Sequence, residues 1–242
     1  MIAALAFLTP IPVGRGRVPD GRSLRWFPVV GLAVGAVLSG VWAGASHLWN
    51  PFIAAVLVVI ADLGLTGMLH FDGLVDTADG VLSHLDRDRR LRVMAQPDVG
   101  AFGLGVGAAL LLLRVACISA LHPTIWLLPA LWCLSRTVMA VGALTLPYAR
   151  AEGDGGKGLV TTFLRGAPPA WVVGGAGLLW ATGLAVVWRL WPGLAAVGGG
   201  IVGGAGVLAL GRFKLGGFTG DVLGAAGVVA ETLALLVAAA RW

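Results

Sequence analysis

Polar and apolar residues are not interspersed along this chain; they gather into long apolar blocks joined by shorter polar stretches. Seven blocks, approximately 27–49, 51–71, 100–122, 124–147, 168–190, 192–211 and 219–240, are long enough to cross a bilayer as helices, which takes about 20 residues each. Three connections are short and marked by proline, at Asn50-Pro51, His122-Pro123 and Trp191-Pro192, and such links imply helical hairpins. Neither a sequence repeat nor a separate soluble domain interrupts the pattern. The expected fold class is all-α: a polytopic transmembrane helical bundle of about seven spans, with short cytoplasmic helices and loops, in one domain over residues 1–242. The opening MIAALAFLTPIPVGRG fits a span poorly, because Pro10 and Pro12 stop its apolar run early. With no basic residue ahead of that run it also makes a poor secretory signal. A short interfacial helix or re-entrant segment is expected there.

Composition agrees with the membrane class. Hydrophobic residues make up 58% of the chain and charged residues 12%, about half the charged share of a soluble domain. The 38 glycines fit as well, since helices pack closely in lipid through small residues. Cys117 and Cys133 lie inside apolar runs, away from any metal or redox spacing, and read as packing residues. The formal charge of +5 reports topology here, not affinity for nucleic acid. Placing the segment before the first span in the cytoplasm puts Arg15, Arg17, Arg22, Arg25, Arg87, Arg89, Arg90, Arg92, Arg150, Lys157, Arg165, Arg212 and Lys214 on that face. Only Arg189 and Arg241 fall on the other face, while Arg114 and Arg136 lie within spans. The positive-inside rule thus orients an odd number of spans. All long polar stretches (13–26, 72–99, 148–167 and 212–221) then emerge in the cytoplasm. The location expected is the cell's inner (plasma) membrane, with the active face inward.

The candidate chemistry starts at HFDGLVDTADG, residues 70–80. Asp72, Asp76 and Asp79 are spaced i, i+4, i+7, so a helix carries all three carboxylates on one face. Ionised pairs about 6 Å apart repel by roughly 3 kcal/mol at an effective dielectric of about 20. A divalent cation relieves that repulsion, and Mg2+ typically takes one or two carboxylates together with substrate phosphates. Gly73 and Gly80 remove bulk beside the acids. His70, at the mouth of the second span, suits either a phosphate or metal contact or simple interfacial anchoring. Arg87, Arg89, Arg90 and Arg92 follow at once. Their guanidinium groups suit bidentate capture of phosphate, although anionic lipid would attract them too.

A second acidic node, GGFTGDVLGAAG at 216–227, puts Gly220 and Asp221 where the last span begins, with Thr219 placed to cap it. Charges inside the spans (Asp62, Arg114, Arg136 and Glu231) must face the bundle interior, because each costs about 2.5–3.5 kcal/mol or more in lipid. Arg136 could reach a phosphate from below or pair within the membrane. The loop 148–167 mixes Arg150, Glu152, Asp154 and Lys157 with glycines and reads as a ligand-covering segment. Its GGKG lacks the glycine spacing and preceding strand of a P-loop.

Taken in order, FLTPIPVG, HFDGLVDTADGVLS, the Asp-Arg-rich stretch, SRT, YAR-EG and GGFTGDVLGA resemble the cobalamin synthase family, the adenosylcobinamide-GDP ribazoletransferases, along nearly the whole chain. The resemblance implies an Mg2+-dependent membrane enzyme. It would join adenosylcobinamide-GDP to α-ribazole, or its 5′-phosphate, and release GMP. His70, Asp72, Gly73, Asp76, Asp79 and Gly80 match the family's acidic motif, and Gly220 and Asp221 its late one; Arg136 and Arg150 match more loosely. The expected roles are metal ligation by Asp72, Asp76, Asp79 and Asp221 and proton handling by Asp76, Asp79 and His70. Substrate contact is expected from Arg87, Arg90, Arg136, Arg150, Gly220 and Asp221. The lipid bilayer is an expected partner, and both a homo-oligomer and association with other corrinoid-assembly enzymes are compatible with this reading. One departure is plain: many members carry a basic residue and Asp-Ser-Arg after the methionine matching Met94, where this chain has Ala95, Gln96 and Pro97. Asp98, Gly100 and Gly103 remain recognisable. Two other readings stay open at this level. A CDP-alcohol-type phosphatidyltransferase uses the same acidic logic but expects an Ala-Arg pair soon after Gly73. A transporter would use Asp62, Arg136 and Glu231 at the midplane.

Overall fold

The computed structural model describes residues 1–13, 20–150 and 164–242. Arg15, Arg17, Glu152, Asp154 and Lys157, and with them most of the expected ligand-covering loop, lie outside the described residues. Among the described residues there are ten α-helices and no strand. They are α1 (Ile2–Leu8), α2 (Phe27–Leu48), α3 (Pro51–Leu65), α4 (Leu69–Leu82) and α5 (Arg87–Val93), followed by α6 (Ala101–Ser119), α7 (Leu127–Thr145), α8 (Ala170–Trp188), α9 (Leu190–Leu215) and α10 (Gly220–Ala238). A short 3-10 turn, Gly21–Trp26, leads into α2. Helices α2, α6, α7, α8, α9 and α10 are each long and apolar enough to cross a membrane. The polytopic helical bundle expected from the block pattern is what forms. Helices α7 and α10 are its most enclosed members, while α6, α8 and α9 turn more of their surface outward. The short helix α1 rests against α2, with Phe7 stacked on Phe27 at 5.9 Å between ring centroids.

The second predicted span is not one straight helix. Asn50 caps α3 by accepting from the Ile53 amide at 3.0 Å, and Pro51 opens the first turn, where its missing N–H costs nothing. Fifteen residues later α3 stops after about 22 Å of rise, short of the roughly 30 Å of a hydrocarbon core. The Thr66 hydroxyl donates to the Asp62 carbonyl at 2.8 Å, and Gly67 (φ 57) and Met68 (φ 60) are left-handed. Helix α4 therefore leaves at 90° to α3. The left-handed conformation is free for glycine but costs a residue with a Cβ about 1–2 kcal/mol, which Met68 bears. The break re-aims the acidic helix. Elsewhere the predicted spans match within a few residues; the α8–α9 link is Arg189 in extended conformation, and Pro192 sits inside the first turn of α9.

Four buried charges join the helices beneath this break. Arg114 of α6 bridges Asp62 of α3, at 2.9 Å, and Glu231 of α10. Arg136 of α7 pairs with the other oxygen of Glu231 and donates to Ser135 Oγ at 2.8 Å. The Trp132 indole N–H donates to Asp62 Oδ1 at 2.8 Å, and Arg114 lies 5.3 Å from the Trp132 ring centroid. Two cations and two carboxylates leave no net charge, which is what makes their burial tolerable in an apolar bundle. Arg136 is buried and pairs with Glu231 through Nη1, the ion-pair alternative that its position in the span left open beside a phosphate contact. Cys117 and Cys133 are buried free thiols, as expected of packing residues. Removing one member should be severe: Glu231→Leu leaves two guanidinium groups with one carboxylate and is expected to cost about 3–5 kcal/mol. The charge-balanced pair Arg136→Leu with Glu231→Leu should recover most of that loss in denaturant unfolding from detergent.

Candidate active site

The predicted acidic motif forms α4, which packs between α6 and α10. Gly73 lets it approach the start of α10, where an added Cβ would lie 2.8 Å from the Cα of Asp221. Gly224 does the same one turn on, where a Cβ would lie 3.1 Å from the Cα of His70. Two glycines, one on each helix, thus bring the early and late acidic nodes into backbone contact. Asp221 stands in the first turn of α10, which Thr219 caps by accepting from the Val222 amide at 3.2 Å, as its position before the span suggested.

Arg150 reaches the same place through a backbone device. The Ala149 amide donates to the Phe218 carbonyl at 2.9 Å, and the Phe218 amide donates to the Pro147 carbonyl at 2.9 Å. This bridge ties the segment after α7 to the one before α10, and the Arg150 guanidinium ends 3.6 Å from the Asp221 carboxylate. Asp76 is half-buried among these groups. Asp72, Asp221 and Asp79 all lie close enough to repel its charge, and Arg150 close enough to attract it. The three carboxylates left for a ligand are exposed Asp72, half-buried Asp76 and Asp221.

Asp79 is placed differently from its neighbours in the motif. It is buried, and its two oxygens accept from the amides of Gly100 and Gly103 at 2.8 Å each. Those amides open α6, so Asp79 caps that helix from outside its own chain segment. Arg90 is also committed to the fold. Its guanidinium is buried and donates to the carbonyls of Leu85 (2.7 Å), Val81 (2.5 Å) and Gly80 (3.2 Å), closing the C-terminal end of α4. Its Nε and Nη1 donors are thus engaged by the fold, whereas the sequence reading expected Arg90 to contact substrate. Arg87 is tethered to the carbonyls of Leu215 (2.7 Å) and Ala149 (2.5 Å), yet its side chain is half exposed. With Arg92, Gln96 and Arg150 it lines a cavity of about 740 Å³. Asp86, which caps α5, is held below the usual carboxylate range by the Arg89 amide. Gly220 is exposed at the start of α10. His70 is buried, and neither ring nitrogen has a partner among the described residues.

Nearly the whole chain, residues 1–239 of 242, matches the family model described as cobalamin-5-phosphate synthase. The chain belongs to the cobalamin-5-phosphate synthase family. Relatives named adenosylcobinamide-GDP ribazoletransferase include those of Chlorobaculum tepidum (36% identical, covering 99% of this chain and 94% of the relative) and Brevibacillus brevis (30%, covering 99% and 97%). A Roseiflexus relative is 35% identical over 96% of this chain and 86% of its own length. No solved structure matches. Within this synthase chain the sequence reading missed two things, the capping roles of Asp79 and Arg90 and the pairing of Arg150 with Asp221. Asp79, Arg150 and Asp221 lie outside the Asp-Arg-rich stretch, and within it buried Arg90 stands among exposed Arg87, Arg89 and Arg92 with no period to mark it.

The role of Arg90 is separable by experiment. Arg90→Leu leaves three carbonyls without their donor and should lower stability by about 1–3 kcal/mol, read as a reduced Tm in detergent. An unchanged Tm with lost turnover would return Arg90 to the substrate.

Proposed function

We propose that this synthase transfers the adenosylcobinamide phosphate group of adenosylcobinamide-GDP to α-ribazole, or to its 5′-phosphate, releasing GMP, at the cytoplasmic face of the inner membrane. The observation that carries this reading is the meeting of Asp72, Asp76 and Asp221 with Arg150 next to an arginine-lined cavity, in a chain of this family.

The reaction forms one oxygen–phosphorus bond and breaks another. A free ribose hydroxyl of the acceptor, other than the 5′ one that the 5′-phosphate form lacks, attacks the phosphorus that carries the cobinamide arm, and GMP departs with the electrons of the cleaved pyrophosphate bond. Such a step needs alignment and charge neutralisation more than covalent help. Arg150 and Arg87 are assigned to the pyrophosphate, with Arg92, as donors along one wall of the basic cavity. Asp76 is assigned to the hydroxyl proton, since it is half-buried and lies among the other carboxylates. His70, buried on the same helix with both ring nitrogens unpartnered among the described residues, is assigned as a second proton carrier. Asp79 supports the site indirectly, by holding the start of α6 against α4.

Asp72, Asp76 and Asp221 are the residues that would hold Mg2+. Their oxygens are the hard donors the ion prefers, and the mutual repulsion around Asp76 is the condition a cation relieves. Among the described residues no three donors are gathered in coordinating geometry; Mg2+ in general takes one or two carboxylates and completes its shell with phosphate and water. When bound, Mg2+ would neutralise charge on the pyrophosphate and the leaving phosphate.

GMP release by protein in detergent tests this directly. Asp72→Asn and Asp76→Asn should each lose turnover by roughly 100-fold or more, with a normal Tm. Chelation should abolish turnover, and added Mg2+ should restore it. Asp79→Asn, by contrast, should lower stability along with activity. Full activity in both the Asp72 and Asp76 variants would sink the assignment, and turnover of CDP-diacylglycerol instead would replace it.

A further inference from the structure

A cavity of about 650 Å³ lies between α4 and the first half of α6. Its wall is aliphatic or aromatic, with Phe71, Val75 and Leu111 among the lining residues, and Asp72 is the one charged group lining it among the described residues. Its floor is the close approach of the two helices, where an added Cβ on Gly107 would lie 3.0 Å from the Phe71 ring. At its mouth Met68 and Leu104 are 51% and 66% exposed. The function reading above leaves this cavity unused. We propose that it seats the aromatic base of the acceptor nucleoside, with the ribose directed at Asp72.

Chemistry sorts the two cavities. The basic one, lined by Arg87, Arg92 and Arg150, suits the charged pyrophosphate of the donor and would waste its guanidinium groups on an uncharged base. The cavity between α4 and α6 is mostly apolar with one placed polar group, the usual make-up of a small-molecule site that fixes orientation through few contacts. An acyl chain would cover the apolar wall but would make no use of the exposed Asp72 carboxylate beside it. A riboside satisfies both, since its base covers the wall and its hydroxyl groups meet the carboxylate. Position agrees with chemistry. Asp72 lines this cavity, Arg150 lines the other, and Asp76 senses the charge of both. An acceptor held this way has its sugar at the carboxylates, on the way to a phosphate held by Arg150. The bend at Gly67 and Met68 builds one end of the cavity, which gives the left-handed Met68 a use.

This inference rests on the function proposed above, and the test separates the two. Ala108 lines the cavity and is exposed, so Ala108→Phe fills it without crowding the core. In detergent, with steady-state GMP release as readout, Ala108→Phe should raise the KM for α-ribazole roughly tenfold or more while the KM for adenosylcobinamide-GDP stays within about twofold. Leu104→Ala, which only removes an exposed side chain, should raise the same KM severalfold and serves if the first variant misfolds. Unchanged KM values for both substrates in both variants, or a parallel rise in both KM values, would overturn the proposal. Unchanged kinetics with an altered dependence on added lipid would likewise overturn it and mark the cavity as a lipid groove. A wild-type protein that releases no GMP would instead refute the function, whatever the variants do.

Discussion

Four charged side chains buried in the middle of the bundle must neutralise one another, and the placement of four helices follows from that requirement. Asp62, Arg114, Arg136 and Glu231 come from α3, α6, α7 and α10 respectively, so the neutral set is complete only when all four helices have met. Trp132 adds an indole donor and an aromatic face to the same cluster. A neutral set of this kind adds little net stability against a well-packed apolar core of the same volume, but it penalises any arrangement that separates its members. Its value lies in register. With α6 and α10 set by their charges, the groove between them can receive a re-aimed helix, and α4 fills it.

The site above the network is built from restraints on both sides of α4. At one end the backbone break over Thr66, Gly67 and Met68 turns the helix through 90°. At the other end Arg90 closes its last carbonyls. Asp79 pins α6 from the buried side, which leaves Asp72 and Asp76 as the carboxylates free to act. Asp221 joins them because Gly73 lets two backbones touch, and Arg150 joins because the Tyr148–Phe218 bridge holds its segment in place. Of the motif's three aspartates, Asp72 is exposed and Asp76 half-buried, while Asp79 holds the scaffold. The same holds for the arginine cluster, where Arg90 is internal while Arg87 and Arg92 face a cavity.

Hydropathy made the spans legible because a bilayer demands about 20 apolar residues, and α2, α6, α7, α8 and α10 obey that demand nearly to the residue. The Thr219 cap was legible for the same local reason, a hydroxyl just before a helix start. The break in the second span was not, since residues 51–71 read as one uninterrupted apolar run and a lone Gly67 is common in membrane helices. The helical spacing of Asp72, Asp76 and Asp79 was right, yet spacing cannot say which neighbour each carboxylate meets. Asp79 turned toward the amides of Gly100 and Gly103, some 20 residues on, a pairing set by how α6 packs and not by local sequence. Arg136 was left between phosphate and ion pair by its position alone, and its pair with Glu231, distant in sequence, shows only in the structure. Local rules, in short, found the elements and the chemistry, while tertiary contacts divided the roles.

The account stands on Asp72, Asp76 and Asp221 forming a cation site that substrate completes. Mn2+ is a suitable spin probe for an oxygen-ligand site of this kind, and its binding to detergent-solubilised protein can be followed by electron paramagnetic resonance with and without adenosylcobinamide-GDP. The account predicts weak Mn2+ binding that tightens in the presence of adenosylcobinamide-GDP and is lost in Asp72→Asn and Asp76→Asn. Binding that is equally tight in wild type and in both variants, and indifferent to the nucleotide substrate, would contradict it.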